Sequence, residues 1–118
     1  MPLYDDYRNT DYLDDVSFIA GTEFTLNFPV YDVLNNPIGL NGCSMKWGLS
    51  LYGQPDVLIL QKTATVSGSY TFVVSLEEAD TIGLGDVYLQ QAMITDIDGR
   101  VFRPAQGVVI IRKAIPIT

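Results

Sequence analysis

The sequence predicts an all-β chain: an antiparallel β-sandwich of immunoglobulin-like size, with about seven strands and one short helix. Three observations carry that expectation. Apolar and polar residues alternate with a period of two in successive segments, the pattern of half-buried strands. Clusters of Gly, Pro, Asn, Asp and Ser separate those segments at short intervals. Helical character is confined to one stretch, residues 77–82. An OB-type or other small barrel is the competing all-β architecture.

The chain opens on residues 1–15, which differ in composition from the rest. They hold five of the 14 acidic residues, Asp5, Asp6, Asp11, Asp14 and Asp15, interleaved with Tyr4, Tyr7 and Tyr12. Tyrosines supply large, stiff contact surface at low entropic cost. Two readings stand side by side: an extended acidic, Tyr-rich arm that orders against a neighbouring subunit, and a solvated acidic terminus. Residues 16–118 are read as the sandwich.

Residues 16–21 form a short first strand that ends at Gly21. In residues 22–31, Phe24, Leu26, Phe28 and Val30 share one face, with Thr25, Asn27 and Pro29 on the other. Pro29 lacks a backbone donor and marks an edge or strand end. Asn35-Asn36-Pro37 and Gly39 make a turn. Cys43, Met45, Trp47, Leu49 and Leu51 are then in phase, which places the single tryptophan at the centre of the core. Residues 57–63 read as a strand apolar enough at its start to be buried on both sides. Ser67-Gly68 turns, residues 69–76 return, and residues 77–82 make a helical turn ended by Gly83 or Gly85. Ser75 is the expected N-cap, with Glu78 completing a capping box.

Residues 86–95 carry apolar side chains on both faces: Tyr88, Ala92 and Ile94 on one, Val87, Leu89 and Met93 on the other. Either face is therefore open to coverage. Asp98-Gly99 reverses the chain, since glycine accepts the positive φ of a tight hairpin. The closing strand spans residues 106–113, and residues 114–118 form a short tail.

Composition narrows the function. A chain of 118 residues fits one domain, long enough for a core without metal or disulfide support. Charged residues make up 18% of it, below the roughly 25% usual in soluble domains, which hints at contacts with other subunits. The net charge of −7 and the scattered basic residues speak against nucleic-acid binding. No apolar run is long enough for a spanning helix, so no membrane role is expected. The lone Cys43 excludes an internal disulfide and fits synthesis in a cytoplasm. Histidine is absent, which removes the commonest general base and metal ligand.

The candidate chemical clusters each have a simpler account. Asp96-x-Asp98-Gly99 resembles a fragment of a calcium loop, but the remaining ligands of that loop are missing and a hairpin turn explains it. Glu77, Glu78 and Asp80 suit a helix start. Cys43 reads as a small core residue. Gly83-Leu84-Gly85 follows a helix and so cannot cradle phosphate. Arg100 and Arg103 flank Phe102 just past the turn; they suit pairing with Asp96 or Asp98, or with an acidic partner. No catalytic, metal or cofactor residue is assigned. The partner-binding candidates are Tyr4, Tyr7, Tyr12, Arg100 and Arg103.

Several stretches resemble a known family. They are Ser75-Leu76-Glu77-Glu78-Ala79-Asp80, Gly83 to Gly85, Tyr88, and Ile94-Thr95-Asp96-Ile97-Asp98-Gly99-Arg100-Val101. Gly107 and Val108-Val109-Ile110 stand at the closing strand, and Gly21-Thr22-Glu23-Phe24-Thr25-Leu26 and residues 32–40 at the opening one. This pattern, over roughly residues 16–113, is similar to the immunoglobulin-like modules of tailed-bacteriophage virions, such as the N-terminal domain of baseplate upper proteins. The resemblance implies a non-enzymatic virion protein, made in the host cytoplasm. Its partners would be phage capsid or tail/baseplate proteins, with a homo-oligomer as a further option. Residues 1–15 have no counterpart in the family. The chain is also shorter than those baseplate proteins, which turns the expectation toward a capsid decoration (cement) or fibre-adaptor protein. A host- or carbohydrate-binding sandwich using Trp47 or the tyrosines is the second reading, and a small hydrolase the third.

Overall fold

This computed structural model describes residues 16–32, 34–103 and 106–117, apart from the side chain of Phe102. The described residues form β1 (Val16–Ile19), β2 (Phe24–Pro29), β3 (Ser44–Leu51), β4 (Gln54–Thr63), β5 (Thr65–Ser67) and β6 (Thr71–Leu76). Helix α1 (Glu78–Thr81), β7 (Asp86–Thr95), β8 (Val101–Phe102) and β9 (Gln106–Arg112) complete the order. The larger sheet runs β1-β9-β7-β3-β4, with β8 paired to β7; the smaller runs β2-β6-β5. The two sheets sandwich one core. Their strand order is that of an immunoglobulin-type sandwich, with β2, β6 and β5 in the places of strands B, E and D, and β3, β7 and β9 in those of C, F and G.

The alternation read from the sequence is the burial pattern of the strands. Leu26 and Val30 from the β2 segment face Met45, Trp47 and Leu49 of β3, and all are buried. Phe72 and Val74 of β6 and Tyr88, Ala92 and Ile94 of β7 fill the same layer. Each large side chain taken from water contributes about 1.5–3 kcal/mol. Some sixteen buried apolar residues therefore hold the sandwich without a disulfide. Phe18 and Phe24 stack at 4.8 Å between ring centres, tying β1 to the smaller sheet.

Two polar contacts sit inside this apolar layer. Trp47 is fully closed to solvent, and its Nε1–H donates to Gln90 Oε1 at 2.9 Å. In antibody domains this tryptophan packs against a disulfide; here an amide takes that place and satisfies the indole. The Tyr88 hydroxyl accepts from the Gly85 N–H at 3.2 Å, closing the corner between α1 and β7 as a tyrosine corner does.

The hairpin forms as its residues require. Gly99 N–H donates to Asp96 O, Asp96 N–H donates to Arg100 O, and Gly99 takes φ +84°. Upstream, Asp32 Oδ1 accepts from Leu34 and Asn36 N–H groups, which makes the expected turn there.

The all-β sandwich with one short helix is as expected, and the structure refines it in detail. The sandwich is not purely antiparallel, because β1 pairs parallel to β9. Nine strands stand among the described residues where about seven were expected, since β5 and β8 are only three and two residues long. β4 starts at Gln54, and its first six residues are all exposed. It is an edge strand, paired on one side only, and its register on β3 shifts twice between Leu49 and Leu51. An apolar run in such a position is covered by no second layer among the described residues. Finally, the helix is capped at Glu77 and not at Ser75. Ser75 is still paired with Thr25 in the β2–β6 ladder, so the chain leaves the sheet two residues later than expected. The helix ends at Thr81 with Ile82, itself αR, as its C-cap, so the expected stop Gly83 follows directly, without taking positive φ.

Candidate interaction surface

The features that distinguish this sandwich lie on the outside of the larger sheet. In β3, the residues out of phase with the core are Lys46, Gly48 and Ser50; in β7 they are Leu89, Gln91 and Met93. Together with Pro55, Leu58 and Gln61 of β4, Arg103, and Gln106 of β9, they line a groove of about 230 Å³. Gly48 gives the groove its depth. A Cβ there would lie 3.2 Å from Leu58 Cδ1, so any larger residue would push the β4 side chain away. Gln106 Nε2 donates to Gln91 Oε1 at 2.7 Å and fixes one wall. Among the described residues, the charged members of the lining are Lys46 and Arg103, and no carboxylate is with them.

Beside the groove runs the β4 edge. Val57, Leu58 and Ile59 are 41%, 61% and 37% exposed, and Tyr52 in the preceding turn is 63% exposed. Natural edge strands are commonly blunted by lysine, proline or a covering loop. β4 carries Pro55 near its start, where its pairing with β3 is irregular. Lys62 is engaged elsewhere: its ammonium pairs with Asp80 Oδ2 at 3.1 Å, joining β4 to α1. Among the described residues no second strand pairs with β4 on its outer side, and Val57, Leu58 and Ile59 stand exposed along it.

No family model and no curated protein matches the chain.

The predicted partner-binding residues divide. Tyr4, Tyr7 and Tyr12 lie outside the described residues. Arg103 reaches the groove, where its guanidinium Nη2 donates to Met93 Sδ at 3.5 Å. Arg100 stays at the turn, where its backbone N–H donates to Asp96 Oδ1 at 2.9 Å. The expected ion pairs of these arginines with Asp96 or Asp98 are not formed among the described residues, whose ion pair is Lys62–Asp80. The reason is local. Asp96 Oδ1 is taken by two backbone N–H groups, and the carboxylate is nearly closed to solvent.

Cys43 is half-buried beside this turn. Burial pushes its thiol pKa up, and the Asp96 charge adds to that, against a lowering from the Ile97 backbone. A thiol held protonated is a poor nucleophile. Asp80 moves the other way: the Glu77 N–H donates to it, and Lys62 helps, so its pKa falls below the ordinary value despite some desolvation. Both shifts serve local structure.

The groove itself was missed by sequence reasoning. Its signal was present in the apolar residues on the second face of β7. What was not legible was that Gly48 on the adjacent strand leaves room above them.

Proposed function

We propose that this protein is a non-enzymatic structural protein of a tailed-phage virion, docking on neighbouring subunits as a capsid decoration or fibre-adaptor protein. The observation that carries the docking part is the exposed apolar β4 edge beside a groove lined by Leu58, Leu89 and Met93. Exposed apolar surface that is contiguous and rimmed by polar groups suits protein contact. An open sheet edge adds main-chain hydrogen bonds to such a contact. The virion part rests on the resemblance of residues 75–101 and 107–110 to immunoglobulin-like phage modules, and the sandwich fold is compatible with it. The competing sugar-platform reading loses its main residue, because Trp47 has no face open to solvent.

The test is where the chain is found. Purified particles are dissolved and their proteins identified by mass spectrometry, with the wild-type chain and Leu58→Lys compared. The expected result is the chain in particles at fixed stoichiometry, with Leu58→Lys depleted from them and equally stable when free. Recovery of the wild-type chain only as a free monomer overturns the proposal.

A further inference from the structure

We propose that residues 1–15 fold back over the outer face of the larger sheet and fill the groove of their own molecule as a strap. The inference stands apart from the virion reading, since it concerns the chain by itself.

Register is the first argument. Val16 lies on the rung Val16–Val109–Tyr88–Leu51 of the larger sheet. β1 runs parallel to β9, so the chain that enters Val16 arrives from the side of Val108. The next rung on that side is Val108–Leu89–Ser50–Leu58, and its last three residues line the groove. Two rungs beyond stands Gln106–Gln91–Gly48, all three in the lining. The segment before β1 is therefore delivered beside the groove at the same height along the strands.

Distance is the second, and it selects the copy. Neighbouring strands lie about 4.8 Å apart, so the groove floor on β7 and β3 is about 10–14 Å from β1. Extended chain covers about 13 Å in the four residues from Val16 back to Tyr12. Tyr12 is thus within reach of the floor, and residues 4–11 have length to spare. A segment tethered this closely meets its own groove at an effective concentration on the order of millimolar. A second copy at micromolar concentration is outcompeted by it.

Charge and chemistry are the third. The chain carries −7 overall, yet the charged residues lining the groove, among those described, are Lys46 and Arg103. In residues 1–15, five aspartates against Arg8 leave a side-chain charge of −4, which complements that lining. The floor offers Leu89 and the thioether of Met93, with the Arg103 guanidinium beside it. Tyrosine rings suit all three, by apolar contact, sulfur–aromatic contact and cation–π stacking. Tyr4, Tyr7 and Tyr12 are interleaved with the acids, so one strip of chain carries both the rings and the charges that the groove matches. A strap there leaves the outer side of β4 open to a neighbour.

The experiment uses the full chain. A photo-cross-linking benzoylphenylalanine replaces Tyr7 in one batch, which is mixed at micromolar concentration with an isotopically heavy batch lacking it and irradiated. The expected product joins position 7 to Leu58, Leu89 or Met93 of the same light chain, at a yield unchanged by dilution. The double variant Lys46→Glu/Arg103→Glu, with Trp47 emission as blue-shifted as in the wild type, lowers that yield about tenfold, or about 1.4 kcal/mol. Reversing Asp5, Asp6 and Asp11 to lysine in the same chain restores it. Links to heavy chains, links to another surface, no links, or a yield that the double variant leaves unchanged overturn the inference. The readout needs no particle, so a failed strap leaves the virion reading standing, and a chain absent from particles leaves the strap standing.

Discussion

Asp96 has one carboxylate oxygen engaged twice and another engaged by none of the described residues. Oδ1 accepts from the N–H groups of Asp98 and Arg100, both at 2.9 Å, while Oδ2 is buried with no partner among them. The sequence offered this residue as a calcium ligand or as turn chemistry, and the geometry is that of a turn. Its role is to replace water for two backbone donors that the tight reversal strands. Asp96→Ala removes that acceptor, and leaving partly buried donors unmatched costs about 1–3 kcal/mol. Urea unfolding should show the stability falling by that amount. Asp96→Asn, which keeps an acceptor oxygen in place, should lose less. An Ala variant as stable as the wild type would show that solvent already serves those two N–H groups.

The short helix shows how one small element is fastened from three sides. Thr81 is fully buried, and its hydroxyl accepts from the Gly21 N–H at 2.9 Å. Gly21 has φ +78°, and a Cβ there would collide with Ile82 Cδ1, so the turn between β1 and β2 favours glycine at this point. Asp80 Oδ2 accepts from Glu77 N–H at 2.8 Å and pairs with Lys62. A depressed carboxylate pKa contributes stability that is present above the unfolded-state value, near 3.9, and is lost as pH falls through the folded value. Asp80→Asn should therefore be less stable than wild type at pH 7, with the gap closing below about pH 4. Urea titrations at pH 7 and pH 3 check this, and a gap that does not change with pH would rule out the charge as its source. At this scale much of the fold was legible, because a period of two is enough by itself to assign each side chain of a strand to one face or the other. The edge position of β4 was not. An apolar run such as Val57-Leu58-Ile59 looks the same whether a second layer covers it or not, and coverage depends on strands distant in sequence. β5 is too short to show a period. Ser75 and Glu78 match a capping box, but pairing with β2 holds Ser75 in the sheet, and tertiary structure outranked the local motif. The groove depends on side chains from β3, β4, β7 and β9, brought together from separate parts of the chain.

For the whole molecule, the parallel pairing of β1 with β9 has a mechanical consequence. Val16 sits opposite Val109, and Ile19 opposite Arg112. The segment before β1 therefore departs from one pole of the sandwich, and the segment after β9 from the other. A pull between those two segments lies along the strands and across the rungs that join them. Every rung of that ladder is then loaded at once in shear, instead of being opened one at a time. Single-molecule extension with handles at residues 16 and 113 should show a higher rupture force than extension with handles at residues 54 and 113, which lie at the same pole and peel β4 from the sheet edge. Equal forces in the two geometries would show that the β1–β9 ladder is not what bears the load. A sandwich built this way suits being strained along its axis, because load that enters at one pole and leaves at the other is spread over the whole β1–β9 ladder.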